Sequence, residues 1–564
     1  MKRIVAAALM VLSLLGLGWA AYETAAPLGP ELSHFIPPGA LLYLEAKDFS
    51  SLLSDWHKSS EKEKWLKSRN YDVFEKSRLL LRLKDTGEEF SSAAGVPANA
   101  NLLGQVAGKQ AALALYDIGK LQFLYITRLS STDATQSLLW QSRSKFETRS
   151  VGNVSFFYRS DPDSGREVAF AITGDYLLLS TREDLMAGAL QLISGAKTNS
   201  MEKESWWERP VREAGAPGDL RMVVDLEKIV PSPYFRSYWV QRNIGDMKQY
   251  STAVSDLTRS GGEFREERVL LKKDPAAQNS SAEKGSFAVA ELLRLVPADT
   301  GYYEARANPN PKDSLDLLTV KILAPHLGPA AVEKLAPRVQ LGNGEIGSNS
   351  DFETRIDEAP SQNRVSRDNR TALENAFSLH EVLARLQIQG TERDEREFFV
   401  RIHSAVAFES ETNWDEQEIH SALAEFVRPG FTTGQLGVEW KTASGYSTLN
   451  GLWPLSVAVR GKYLIISDNA ALLNRVLANL NRKVAEPAVF AAGFDHQAER
   501  KSFLTLTGLL DAGRRSAGPG ESPEFFSENI ASLSFVLEDV ISEKIVIRDA
   551  ADRQRQTVTY RWAR

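Results

Sequence analysis

The sequence predicts an α+β fold built as two tandem repeats, each a hairpin-rich antiparallel sheet packed by helices. Three observations predict it. The stretch Glu167–Gly195 reads as strand, tight turn, strand, helix. Val168, Phe170 and Ile172 alternate, Gly174 punctuates, and Tyr176–Leu179 is a second apolar run. The same unit returns at Leu455–Leu480, where Val457, Val459, Gly461, Tyr463 and Leu464–Ser467 fall at one constant shift from Phe170, Ile172, Gly174, Tyr176 and Leu177–Ser180. Finally, Leu295-Val296-Pro297 and Tyr303 repeat Phe35-Ile36-Pro37 and Tyr43. Glycine accepts the positive φ of a two-residue hairpin turn, so Gly174 and Gly461 are expected there.

The N-terminus comes first in chain order. Lys2 and Arg3 precede an uncharged run, Ile4–Ala21, which reads as a basic segment before an apolar export core. Residues 1–21 are therefore either a signal peptide, with Gly18 and Ala20 before the cut, or an N-terminal membrane anchor. The run is at the short end of what spans a bilayer, and Trp19 and Tyr22 suit its outer interface. In either case residues from Glu23 onward lie outside the cytoplasmic membrane, in the periplasm or cell envelope. The chain has no cysteine, which excludes a lipoprotein, disulfides, thiolate metal sites and a cysteine nucleophile.

The first repeat is placed at 31–273. Leu42, Leu44 and Ala46 make a first strand, and Asp48 or Ser50 caps a helix carrying Phe49, Leu52, Leu53 and Trp56. Glu61–Lys67 is read as a solvated helix face, and Tyr71–Leu83 as helix. Gln110–Tyr116 and Leu121–Leu129 pair around Asp117-Ile118-Gly119-Lys120. Ser131 or Asp133 opens a helix through Trp140. Val154–Tyr158 is a strand before the turn Asp161–Gly165. After the organising hairpin, Ser180 or Thr181 offers an N-cap for the helix of Leu185, Ala189, Leu190 and Ile193. Leu220–Leu226 and Arg268–Lys272 are late strands. Trp206-Trp207 aligns with Val489-Phe490, a position needing only bulk and apolarity, and so reads as core.

Residues 274–290 are polar and small, and read as a linker. The second repeat is placed at 291–564. A polar insertion, 342–368, accounts for its extra length and reads as an exposed loop. Strands are expected at Glu397–Phe408, Gly434–Trp440, Phe503–Leu509 (the echo of Leu220–Leu226), Ile530–Val536, Lys544–Arg548 and Gln556–Trp562. A helix is expected at Glu416–Phe426.

Hydrophobic residues make up 43% and charged residues 25% of the 564 positions, enough for sizeable cores. The net charge of −6, without a basic patch carrying interleaved aromatics, argues against nucleic acid as a partner. Gly342-Asn343-Gly344-Glu345-Ile346-Gly347 spells a dinucleotide fingerprint, but no apolar helix follows it, so it is read as chance. His380, His403 and His420 are the one local histidine group, on different predicted elements without ligand spacing. The mixed-charge runs Arg265–Arg268 and Arg393–Arg396 read as solvated hairpin turns. No catalytic, cofactor-binding or metal-ligating residue is assigned, and no cofactor is expected.

The run Gly174–Ser180, its following helix, the stretch Thr198–Trp207 and Asp219–Leu226 resemble a bacterial domain-of-unknown-function family of exported or single-pass anchored envelope proteins. Pro38–Tyr43 resembles that family's opening strand. The resemblance covers most of the first repeat and, more weakly, the second. It implies an envelope setting and supplies no activity. The functions left open are a non-catalytic binding or scaffold role, a periplasmic carrier or sensor of an apolar, lipid-like ligand, and a hydrolase of unrecognised type. Partners would be the membrane, through an uncleaved N-terminal segment, and an envelope protein or lipid.

Overall fold

In a computed structural model, the residues described are 31–233, 235, 247–275, 280–323, 367–393, 400–431, 439–443, 445–449, 454–499 and 538–563. Ten strands lie in the first half: β1 (Leu42–Ala46), β2 (Ala111–Asp117), β3 (Gln122–Arg128), β4 (Glu147–Val151), β5 (Val154–Ser160), β6 (Glu167–Thr173), β7 (Tyr176–Ser180), β8 (Leu220–Asp225), β9 (Tyr250–Ser260) and β10 (Glu263–Lys272). Ten more lie in the second: β11 (Tyr302–Ala307), β12 (Val382–Arg393), β13 (Val400–Ser410), β14 (Lys441–Ala443), β15 (Tyr446–Leu449), β16 (Leu455–Arg460), β17 (Tyr463–Ser467), β18 (Phe490–Asp495), β19 (Val540–Asp549) and β20 (Arg553–Trp562).

All pairings are antiparallel. The first half runs β4-β5-β6-β7-β3-β2-β1-β8-β9-β10 across the sheet. The second runs β14-β15-β16-β17-β13-β12-β11-β18-β19-β20, the same connectivity strand for strand. The fold is thus α+β with two tandem repeats of one hairpin-rich sheet. The halves do not form two separate sheets, as the sequence suggested. β10 pairs β20 edge to edge, and the twenty strands make one continuous sheet. The two would-be edges are thereby satisfied by each other.

The expected turns are present. Gly174 and Gly461 have φ of 56° and 58°, each the first of two turn residues. Tyr176 and Tyr463 open the equivalent strands β7 and β17. Helices cover both faces. In the first half the Glu183–Ile193 helix buries Leu185, Met186, Ala189 and Leu190 against Leu124, Ile126 and Tyr43. The Arg78–Ala94 helix buries Phe90, Ala93 and Ala94 on the other face, with Phe170 and Leu177. In the second half Val289, Leu292, Leu472 and Val476 pack one face, and Leu373, Phe377, Leu423 and Phe426 the other. Among the described residues, each hydrophobic cluster draws on one half alone.

Several expectations are corrected. The cap of the Glu183–Ile193 helix is Arg182, with no side-chain bond. Ser180 Oγ instead accepts from Arg182 N at 3.1 Å and reaches Phe123 O at 3.1 Å, tying the strand end to β3. Ser467 repeats this with Asn469 N and Ser404 O. Tyr71–Leu83 is two helices, broken where Ser77 caps the second. The segment 131–140 is likewise two short helices, capped by Ser130 and Ser137. The 274–290 linker carries most of the Ser280–Leu293 helix, whose Ala288 and Val289 reach the core. The counterpart of β8 is β18, Phe490–Asp495, and not Phe503–Leu509, which lies outside the described residues. β1 pairs β8 at Ala46 opposite Leu220, and β11 pairs β18 at Arg306 opposite Phe490. Phe490 is therefore the equivalent of Leu220, and Trp206-Trp207 has no counterpart at Val489-Phe490. Glu439 and Trp440 are not strand, and Arg367 and Asp368, assigned to the polar insertion, open a helix. Residues 1–30, 342–366 and Ile530–Val536 also lie outside the described residues. No helix among the described residues is long and apolar enough to cross a membrane.

Candidate functional site

The continuous sheet creates a site that neither half builds alone. The Asp48-capped helix Phe49–Lys58 is anchored at its start, where Phe49 N donates to Lys109 O at 2.6 Å and Ser51 N to Asp48 Oδ1 at 3.0 Å. The helix is amphipathic, yet none of its residues is fully buried. Its apolar face, Phe49, Leu52, Leu53 and Trp56, looks onto the sheet across a groove of about 590 Å³. The sheet supplies Leu220 from β8, Leu257 opposite it on β9, and Phe264 from β10. Across the seam, Tyr560 lies opposite Phe264, and Trp562 packs edge-on against the Phe264 ring at 5.6 Å. Side chains alternate along a strand, so Phe264, Tyr560 and Trp562 share one face.

The polar groups of the groove are few. Arg259 Nη1 lies 3.1 Å from Asp55 Oδ2, its guanidinium sits 5.5 Å from the Phe264 ring centroid, and its backbone N donates to Asp219 Oδ2 at 2.7 Å. Glu61 and Ser59 complete the lining. Trp562 Nε1 is buried without an acceptor. Beside Trp562, Lys64 bridges to Asp539 at 2.6 Å and Glu538 at 3.2 Å. The Glu61–Lys67 run is thus more than a solvated face, because Lys64 ties the first half to the second.

A second cleft, of about 600 Å³, is polar. Arg82, Lys120, Arg166 and Arg182 are offset there by Glu89, Glu167, Glu183 and Asp184. Arg166 pairs with Glu89 at 2.5 Å and donates to Lys120 O at 2.7 Å, so its charge is answered within the chain. Ser164 Oγ bonds the Asp161 carboxylate, and no histidine is among the described residues that line the cleft.

The three histidines do not converge. His380 packs on Trp414 at 4.3 Å with Nδ1 on Thr412 Oγ1, His420 stacks on Trp440 at 4.4 Å, and His403 lies 3.7 Å from Asp468. Trp206 and Trp207 are core residues as expected, 7% and 6% exposed, with Trp207 edge-on to Tyr43 at 4.9 Å. The Arg265–Arg268 run is not a turn. It lies within β10 opposite β20, and Arg268 grips Glu266 through two bonds of 2.6 Å. Arg393 ends β12, while 394–396 and the glycine run 342–347 lie outside the described residues. Sequence reasoning missed the groove because its walls come from residues 49–61, 219–264 and 560–562, which share no local signature. The amphipathic stripe of the first helix was its one visible trace.

No family model matches the chain, and no curated protein matches it. Among solved structures it is similar to three crystal forms of TP0453. Form III is 9% identical, with 45% of this chain and 83% of that chain covered at a TM-score of 0.24. Form I is 10% identical over 45% and 83%, at 0.23. Form IV is 9% identical over 42% and 79%, at 0.23. A likeness this slight carries no argument about function.

Proposed function

We propose that this chain is a non-catalytic protein of the bacterial cell envelope that holds an apolar, lipid-like ligand in the groove between the Phe49–Lys58 helix and the β8-β9-β10-β20 face. One observation carries the reading. An amphipathic helix none of whose residues is fully buried faces an aromatic and aliphatic wall across about 590 Å³, a volume suited to a small amphiphile. Filling the gap would desolvate both surfaces, each square ångström of apolar area contributing about 25 cal/mol. The envelope setting is supported by Lys2-Arg3 and the Ile4–Ala21 run, and by the family resemblance of Gly174–Ser180 and Asp219–Leu226. A reporter fused after Gly39 should be active only outside the cytoplasm.

The test is a titration of intrinsic tryptophan fluorescence with dodecyl maltoside below its micelle threshold. Saturable binding that falls about tenfold in Trp562→Ala or Leu257→Asp, about 1.4 kcal/mol, is expected. Binding indifferent to both substitutions would remove the groove from consideration.

A second reading, docking of another envelope protein, is favoured by one separate observation. Leu66, Phe74, Leu81 and Leu83, on the helices from Ser60 to Ala94, are 38% to 48% exposed. In that case membrane co-purification should recover a stoichiometric protein partner, lost when Leu81 and Leu83 are made Ser.

A further inference from the structure

We infer that the groove selects an amphiphile with a positively charged head over one with a negatively charged head. The inference rests on the groove being the ligand site and adds the chemistry of its mouth. Among the described residues, the lining carries three carboxylates, Asp55, Glu61 and Asp219, against one cation, Arg259. A carboxylate head entering there would meet a net negative rim, whereas an ammonium head would be attracted by it.

The second observation is where Arg259 sits. The Arg259 guanidinium lies over the Phe264 ring at 5.5 Å and 3.1 Å from Asp55 Oδ2. An aromatic face with an adjacent carboxylate is the pairing that recognises alkylammonium groups. The chain places its own cation in that position. Arg259 is on the solvated end of β9, with its side chain 47% exposed, so it can swing away. A ligand head would displace it from Phe264 and Asp55, and the alkyl chain would run along Leu257 and Leu220 toward Phe49. Arg259 therefore acts as an internal competitor for cationic ligands.

The experiment uses the full chain and three probes with one twelve-carbon tail: dodecyltrimethylammonium, dodecyl maltoside and laurate, each below its micelle threshold and followed by tryptophan fluorescence. The ammonium probe is expected to bind about tenfold tighter than laurate at low salt, the gap closing toward about 0.5 M salt as screening grows. Arg259→Gln is expected to tighten the ammonium probe several-fold, to leave the maltoside within about twofold, and Asp55→Asn to weaken the ammonium probe alone. If laurate binds as tightly as the ammonium probe, or Arg259→Gln weakens the ammonium probe, the charge selection is overturned. If that happens while the maltoside still depends on Trp562, only this inference falls. If no probe responds to Trp562→Ala, the groove reading falls with it.

Discussion

Glu267 of β10 lies opposite Thr557 of β20, and the pairs on either side are exchanged about them: Glu263 faces Arg561, and Leu271 faces Arg553. Glu263 and Arg553 occupy the same place in their hairpins, just after the turn from β9 or β19. The seam is therefore a pseudo-two-fold contact of equivalent strands. It is reinforced by Lys272–Asp549 at 2.8 Å and Glu213–Arg553 at 2.8 Å. Among the described residues, no core cluster of buried hydrophobic side chains crosses it.

That geometry predicts how the first half behaves alone. Residues 31–273 should unfold in one cooperative transition, because their clusters are self-contained. The freed β10 edge should pair with a second copy, but Glu267 would then oppose Glu267, a like-charge pair costing up to about 1 kcal/mol. Glu267→Thr should raise the dimer fraction in sedimentation velocity. A fragment that stays unfolded would show that the halves share one core.

Gly174→Val and Gly461→Val should each cost about 1–2 kcal/mol, because both positions have positive φ that a β-branched residue resists. No heavy atom lies within 4 Å of a Cβ at 174, so the cost there is conformational rather than a clash. The two turns serve separate clusters, and the double variant should show additive losses in urea unfolding. Strong coupling would mean that the halves unfold as one.

Arg221 and Asp256 are cross-strand partners with side chains 6% and 10% exposed, joined at 2.7 and 2.8 Å. Asp256 also accepts from Gly218 N, next to the groove-lining pair Asp219-Leu220. Asp256→Ala should cost about 3–5 kcal/mol by stranding a buried guanidinium. Arg221→Met with Asp256→Leu should recover most of it, as read by thermal unfolding. A double variant no better than Asp256→Ala would show that the pair's worth lies in its backbone bonds.

Burial pushes the Glu409 carboxyl up to about 7, and the nearby Glu291 charge adds to the rise. Its Oε2 has no hydrogen-bond partner. The fold thus holds this proton more tightly than the unfolded chain, so stability is lost as pH rises from about 4.5 through about 7. Glu409→Gln should flatten that slope and stabilise the protein at pH 8 by up to about 3 kcal/mol. Urea midpoints at pH 5 and 8 measure it, and an unchanged difference between them would contradict the assignment.

The repeat was legible where local physics suffices. The Gly174 and Gly461 turns, the alternation of Val168, Phe170 and Ile172 and of Val457 and Val459, and the apolar runs of β7 and β17 each depend on neighbours in sequence, whereas Trp206 and Trp207 are buried through contacts such as Tyr43 that the repeat alignment did not supply. Helix caps were less so. Ser180 has the right chemistry for a cap, but its hydroxyl finds Phe123 O on β3, a partner distant in sequence. β18 escaped notice because Phe-Ala-Ala-Gly-Phe-Asp is a weak strand pattern. Its Gly493 is there for Tyr303, whose ring would lie 2.3 Å from a Cβ at that position.

The sequence by itself determined two copies of one strand order, each with its own apolar stripes, because periodicity and turn chemistry are written within a few residues of each other. Only the tertiary structure decided that β10 meets β20, that Arg221 answers Asp256, and that Phe49, Leu257 and Trp562 enclose one groove. Edge pairing is made by backbone groups that every residue carries, so the pattern of a strand shows which face is buried but not which strand lies beside it.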